Sequence, residues 1–418
     1  MKKKERDYIR ELSKKQLEAA SLPIMEERRK KWTKLNNGEV SEPLVGVEYN
    51  GLADEIFPDC QCESPLAREL EAQIRRNIIY HECVNDDRVI PAYVSVPVYN
   101  NMIPFNHHTE YTYAHLPGGG SSMGYSWKYR IEDLERDFHV LEKSVFTVDP
   151  GLKKSLRWKA EAEEIIGDIL PARITFPSFY FCLAGVMCSL MGMENMMLAI
   201  YDYPELFHRA MSALTNDYME YMDAIEENGA ILPNNDNSPL NQGSWGFTES
   251  LPPAGEIKGK TGFSHVWGHT NSQETVDMGV EMYDEFFFSY MEKLTERFGL
   301  LSYGCCEPVD GIWARCLSRL SNLRKLSVSA WCDEEYIGEC IRGKKIVYHR
   351  KPSAIYISVD PVFDEEAFGA HIAKTIKAAA GCPLEITFRE ELTLRNEPWR
   401  LRRAVEIVRE QYARHWKA

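Results

Sequence analysis

Two adjacent thiols followed by a carboxylate, Cys305-Cys306-Glu307 in the stretch YGCCEP, are the residues whose types and spacing most directly suggest chemistry. Neighbouring cysteines can ligate a metal, cycle as a redox pair, or fill a core gap as small apolar groups. A catalytic zinc takes three protein ligands and keeps a fourth position open. Cys305 or Cys306, with Cys332 and one of Glu307, His269 or His349, would meet that count. A zinc held by such thiolates would act as a Lewis acid that activates a leaving group. No C-x-x-C pattern accompanies them, so the packing and redox readings stay open beside the metal one.

Residues so far apart need a scaffold that brings them to one place. Short β-branched or apolar runs recur along the chain: 43–48, 90–98, 172–177, 229–235, 262–269, 300–306, 324–331 and 345–352. Helical patterns lie between them. SPLARELEAQIRRNI opens on Ser64 and Pro65, an N-cap residue and a first-turn proline. EMYDEFFFSYMEKLTERF sets Met282, Phe286, Phe287, Tyr290, Leu294 and Phe298 on one face. Strands alternating with helices imply a parallel sheet, and eight such units imply a closed (β/α)₈ barrel, with an open doubly wound sheet as the other architecture. The expected fold is therefore an α/β TIM barrel over residues 41–418, preceded by a polar helical extension over 1–40. Residues 99–160 read as an insertion over the C-terminal mouth; its PGGGSS does not sit between a strand and a helix as a phosphate loop does.

Active sites of such barrels lie at the C-terminal ends of the strands. Read that way, the strand ends carry Tyr99, Asn234, Asn237, Trp267, His269, Gln273, Glu274, Tyr303, Trp331, His349 and Lys351, beside the three cysteines. Each has a plain structural alternative, such as turn chemistry at Asn234 to Asn237 or helix capping by Asp333. Their coincidence at one end of one barrel is the stronger argument, because these residue types are costly to bury unpaired. Glu274, His269, Glu307 and His349 are the candidate acid, base or supporting groups. Tyr99, Asn234, Asn237, Trp267, Gln273, Tyr303, Trp331 and Lys351 are the candidate substrate contacts, and Cys305, Cys306 and Cys332 the candidate metal ligands.

The composition sets outer bounds. The chain has 418 residues and a formal net charge of −14, a poor basis for nucleic-acid binding. Eleven cysteines without a secretory signal suggest reduced thiols and a cytoplasmic location. No run of 18 apolar residues stands out as a membrane span. The Met-rich stretch SFYFCLAGVMCSLMGMENMMLAIY reads as core, with a homodimer face as the sharper alternative.

The order of elements, with MEERRKKWTKLNN, MGMENMMLAIYDYPELFHRAM, HTNSQETV, YGCCEPVDG and YHRKPS, resembles the uroporphyrinogen decarboxylase superfamily, and within it a branch of anaerobic bacterial proteins. That superfamily has the (β/α)₈ fold and includes cofactor-free decarboxylases and zinc-dependent corrinoid methyltransferases. In the methyltransferase branch strand six ends in His-x-Cys; here Tyr303 replaces the histidine and Cys305 matches the cysteine. The resemblance implies transfer of a methyl group from a small methylated substrate to a corrinoid carried by a partner protein, with zinc as the metal; the size of Tyr99, Tyr303, Trp267 and Trp331 suggests an aryl methyl ether as that substrate. It implies two alternatives: a decarboxylase in which His349 assists, and a protein that only binds a corrinoid or tetrapyrrole.

Overall fold

Strands that are apolar on both faces fit a parallel sheet covered by helices on one side and filled by side chains on the other. The structure, a computed structural model, describes residues 1–48, 53–114, 124–389, 391 and 393–416. Its strands are β1 Leu44–Val47, β2 Val94–Pro97, β3 Asn101–Ile103, β4 Tyr111–Ala114, β5 Gly124–Trp127, β6 Val145–Thr147, β7 Ala172–Thr175, β8 Phe179–Phe181, β9 Trp267–Thr270, β10 Leu300–Tyr303, β11 Leu323–Val328, β12 Val347–Arg350 and β13 Leu384–Phe388.

Seven strands form one parallel sheet in the order β1-β13-β12-β11-β10-β9-β8, and β2 pairs with β7 in a second parallel ladder. Pro177 lies between β7 and β8 and cannot donate to a ladder, so the two are one interrupted strand. Counted so, there are eight strand positions, with helices such as Pro65–Ile79, Lys153–Ile166 and Glu365–Ala378 between them. The result is a barrel-like α/β fold. β1 and β2 share no ladder among the described residues.

A turn centred on Gly243 stands in that gap. Pro239 bridges Trp245 in antiparallel fashion, and the Pro239 carbonyl accepts from the Ser178 N–H. Gly243 has φ +73, and a Cβ there would come within 2.6 Å of the Thr387 methyl on β13. Only glycine fits so close to β13 at that backbone angle.

Two expectations change here. Residues 229–235 form no strand: Asn234 Oδ1 accepts the Trp267 N–H at 2.8 Å and its Nδ2 donates to the Trp267 carbonyl at 3.2 Å. A side chain thus takes the bonds a fourth strand would make to β9. The last strand of the sheet is β13, not 345–352, and β13 pairs with β1. Glu385 interrupts its apolar pattern, and the reason is internal: Glu385 pairs with Lys325 at 2.6 Å, both fully buried.

The N-terminal helices Lys3–Ala20 and Pro23–Asn36 both dock on the rest of the chain. Ile9 packs with Leu70, Ile74 and Val94, and Trp32 Nε1 donates to the Asp87 carbonyl at 2.8 Å. Ser64 precedes its helix as expected, but its side chain makes no cap; its N–H and Oγ bond Glu5 instead. Asp333 does cap, accepting the Tyr336 N–H. In the 99–160 segment β3 pairs with β6 and β4 with β5, both antiparallel; PGGGSS lies outside the described residues.

The Met-rich helix Leu183–Asp202 is, by length and composition, the one described helix apolar enough to cross a membrane. Gly192, at φ +74, breaks it, and Met187, Leu190, Met191 and Met196 pack into the main core. The core reading of this stretch fits that packing.

Candidate active site

The two cysteines meet because β10 ends at Gly304. Its φ of +99 stops the strand's alternation, and the Cys305 and Cys306 sulfurs lie 3.2 Å apart instead of on opposite faces. Arg389 follows β13 directly and places Nη1 2.6 Å from Cys305 Sγ and 3.7 Å from Cys306 Sγ. Glu48, after β1, and the Gln242 side chain hold the same guanidinium. The Cys306 hydrogen bond, with Arg389 behind it, lowers the Cys305 thiol to about 7 against the opposing effects of burial and Glu307. The pair therefore carries a negative charge near neutral pH, and that charge belongs to both sulfurs.

Glu307 is a brace. Its Oε1 accepts the Ser272 N–H at 3.0 Å and its Oε2 the Cys305 N–H at 2.9 Å, tying the ends of β9 and β10 together. Burial pushes its carboxyl up while these backbone donors hold it down.

Two clefts open over the sulfurs. The larger, about 670 Å³, is bordered by Cys306, Glu307, Gln273, Glu274, Asp277 and Trp331, with Tyr111 and Trp127 of the β4–β5 hairpin opposite. The smaller, about 280 Å³, is bordered by Cys305, Cys306, Lys351, Arg389, Trp331 and Ile355. Cys306 and Trp331 front both. Glu274 accepts from the buried Cys182 thiol at 3.4 Å.

Beneath the mouth lies a buried polar ladder. Lys351 Nζ is 2.8 Å from His349 Nε2 and donates to the Gln242 carbonyl at 2.7 Å. His349 Nε2 is 2.9 Å from Thr387 Oγ1 and 3.2 Å from Glu385 Oε1. Burial lowers Lys351 to about 7, with Glu385 and Glu48 opposing, and keeps His349 neutral. His269, wholly buried in β9, stacks on Tyr180 at 5.5 Å, and burial lowers it to about 3. Neither of its ring nitrogens makes a well-formed hydrogen bond.

Of the residues expected at the mouth, the structure brings together Cys305, Cys306, Glu307, Gln273, Glu274, Trp331 and Lys351. His269 and His349 are buried and border neither cleft. Asn234 and Trp267 sit at the opposite end, at the start of β9, and Asn237 donates to the Val89 carbonyl. Asn234 and Asn237 follow from placing a strand at 229–235, and Trp267 from placing one at 262–269 where the strand begins only at Trp267. Tyr303 is buried with its hydroxyl 3.0 Å from Tyr283 Oη, and Tyr99 lies under Lys154. His265, four residues before His269, stays at the start of β9 with its Nδ1 accepting the Gly262 N–H. Arg389, Asp277, Cys182, Tyr111 and Trp127 were not expected. Arg389 becomes visible once LEITF is read as a strand, because it is then the first residue past a strand end.

The donor set falls short of a catalytic zinc. Cys332 Sγ turns away to the Val309 N–H at 3.4 Å and the Ser329 hydroxyl at 3.5 Å, and Arg389 lies against Cys305. No group of three or more His, Cys, Asp or Glu among the described residues is arranged to hold a metal. The expected metal content after dialysis against a mild chelator is well below one zinc per chain, by elemental analysis. About one zinc, lost in Cys305→Ala or Cys306→Ala, would restore the three-ligand reading.

No family model matches the chain, and a search of curated proteins finds no match. Among solved structures, a methyltransferase from Methanosarcina mazei is similar over 92% of this chain and 99% of its own, with a TM-score of 0.51 and 14% identity. At that identity the likeness shows a shared fold.

Proposed function

We propose that the chain is a methyltransferase whose methyl acceptor is the Cys305–Cys306 pair. The observation that carries this reading is the close sulfur pair, with Arg389 against Cys305 and Cys306 bordering a cleft large enough for a small molecule. Fold similarity to a methyltransferase over nearly the whole chain supports it. Cys305, the other sulfur of the pair, is the one the superfamily resemblance also marks.

Cys306, the sulfur that fronts the large cleft, passes its proton to the Cys305 thiolate across 3.2 Å. The Cys306 anion then attacks the methyl carbon of the donor in line with the departing atom. The S–CH₃ bond forms as the CH₃–X bond breaks, and the electron pair leaves on X. The cleft holds donor and sulfur in contact, which converts an encounter into a positioned step. A second displacement would return Cys306 by passing the methyl to a stronger nucleophile, the chemistry a reduced corrinoid on a partner protein would supply. Cys306 leaves as a thiolate, and Arg389 stabilises the returning charge.

The test is loss of cob(I)alamin absorbance when the protein is mixed with a panel of methylated amines, sulfides and aryl ethers. Turnover by the wild-type chain, and its loss in Cys306→Ser, is the expected result. Equal rates with Cys306→Ser, or none with any donor, would reject the reading. For the decarboxylase alternative Arg350 is buried against Glu334, and the basic groups left to it, Lys351 and Arg389, border the smaller cleft only.

A further inference from the structure

We infer that the larger cleft selects a methylated cation, a quaternary ammonium or sulfonium, as the methyl donor; this rests on the methyl-transfer reading above. Three aromatic rings face it, from Tyr111, Trp127 and Trp331. Trp331 is 77% exposed beside the cleft, and Tyr111 packs against Trp127 with ring centres 6.4 Å apart on its other border. Three carboxylates, Glu274, Asp277 and Glu307, complete the polar lining, and among the described lining residues there is no Lys, Arg or His. The nearby cations, Arg389 and Lys351, border the smaller cleft instead. Aromatic faces beside carboxylates, without a competing cation, are the surroundings that recognise an alkylated ammonium, which cannot donate hydrogen bonds and is held by ring quadrupoles and charge.

The chemistry of departure points the same way. An ether oxygen leaving as an alkoxide or phenoxide needs a proton from the cleft. Both Glu307 oxygens are engaged by backbone N–H groups and one Glu274 oxygen by a buried thiol, which fixes both side chains instead of leaving them to turn toward a departing oxygen. A quaternary nitrogen needs none. The Cys306 sulfur gains the methyl, the N–CH₃ bond pair stays on nitrogen, and a neutral tertiary amine leaves. The aryl methyl ether expected from the size of the aromatic residues therefore fits this cleft less well than a cation does.

The test is calorimetric titration of the full chain with choline and with its uncharged carbon isostere 3,3-dimethylbutan-1-ol, each variant first checked for folding by circular dichroism. Choline is expected to bind at least tenfold more tightly than the isostere. Glu274→Gln combined with Asp277→Asn is expected to weaken choline at least tenfold and leave the isostere unchanged. Trp331→Ala, at an exposed position that should not disturb folding, is expected to weaken choline as well. Equal affinities, or no choline binding, would overturn the inference. Selective choline binding without methyl transfer to cob(I)alamin from any cation would keep the inference and reject the enzyme reading. Transfer from an aryl ether without choline binding would do the reverse.

Discussion

Glu385→Ala is expected to destabilise the chain by about 3–5 kcal/mol, because it strands a buried lysine without its counter-charge. Lys325 Nζ lies 2.6 Å from Glu385 Oε2, with both side chains at 0% exposure. That ammonium also donates to the Ser244 hydroxyl at 2.7 Å and lies 5.3 Å from the centre of the Trp32 ring. The carboxylate also faces His349 and Ser244, so its loss opens the polar ladder under the mouth and releases the turn around Gly243. The urea midpoint should fall strongly. Lys325→Met combined with Glu385→Leu should recover most of the loss, since the penalty comes from an unpaired charge and not from a missing attraction. If the single and double variants fall equally, the ladder's shape matters more than its charge.

Arg389→Gln is expected to move the titration of the thiol pair upward, from about 7 toward the ordinary thiol value of 9.0. Glutamine keeps polar contact with Glu48 and Gln242 while removing the positive charge beside Cys305. The sign follows from the cause: a cation favours the thiolate, so its removal favours the thiol. If the whole shift were lost, the thiolate fraction at pH 7 would fall by at most roughly fiftyfold, while intrinsic nucleophilicity would rise about tenfold as the thiol becomes more basic. The net loss of iodoacetamide reactivity at pH 7 would therefore be only about fivefold. The shifted midpoint of the pH–rate profile is the better readout. An unchanged midpoint would mean that Cys306, and not Arg389, sets the charge.

How far the sequence disclosed this site depended on where an apolar pattern stayed unbroken. β10 and β11 were legible because LLSY and LRKLSV run apolar into polar ends, and those ends carry the cysteines and Trp331. β13 was hidden by Glu385, which looks like a surface residue until Lys325 is found opposite it. With β13 missed, Arg389 was invisible, and the thiols lacked the group that makes them anionic. The converse error arose at 229–235, where an apolar run before Asn234 imitates a strand. There the asparagine side chain, not a backbone ladder, bonds β9. Tyr111 and Trp127 reach the cleft only through the pairing of β4 with β5, which no local pattern announces.

The central claim is that the Cys305–Cys306 pair is the nucleophilic centre of the chain at neutral pH. Its most direct test is competition among the chain's own eleven cysteines. Native protein is treated at pH 7 with less than one equivalent of deuterated methyl iodide, and methylated cysteines are mapped by peptide mass spectrometry. Cys83 is exposed and serves as the internal reference, while Cys188 and Cys316 are buried and raised by burial. The expected result is a label concentrated on the 305–306 pair, chiefly on Cys306, and spread to Cys83 only above pH 8. A label that follows solvent exposure, with Cys83 first, would contradict the claim and make the pair packing residues.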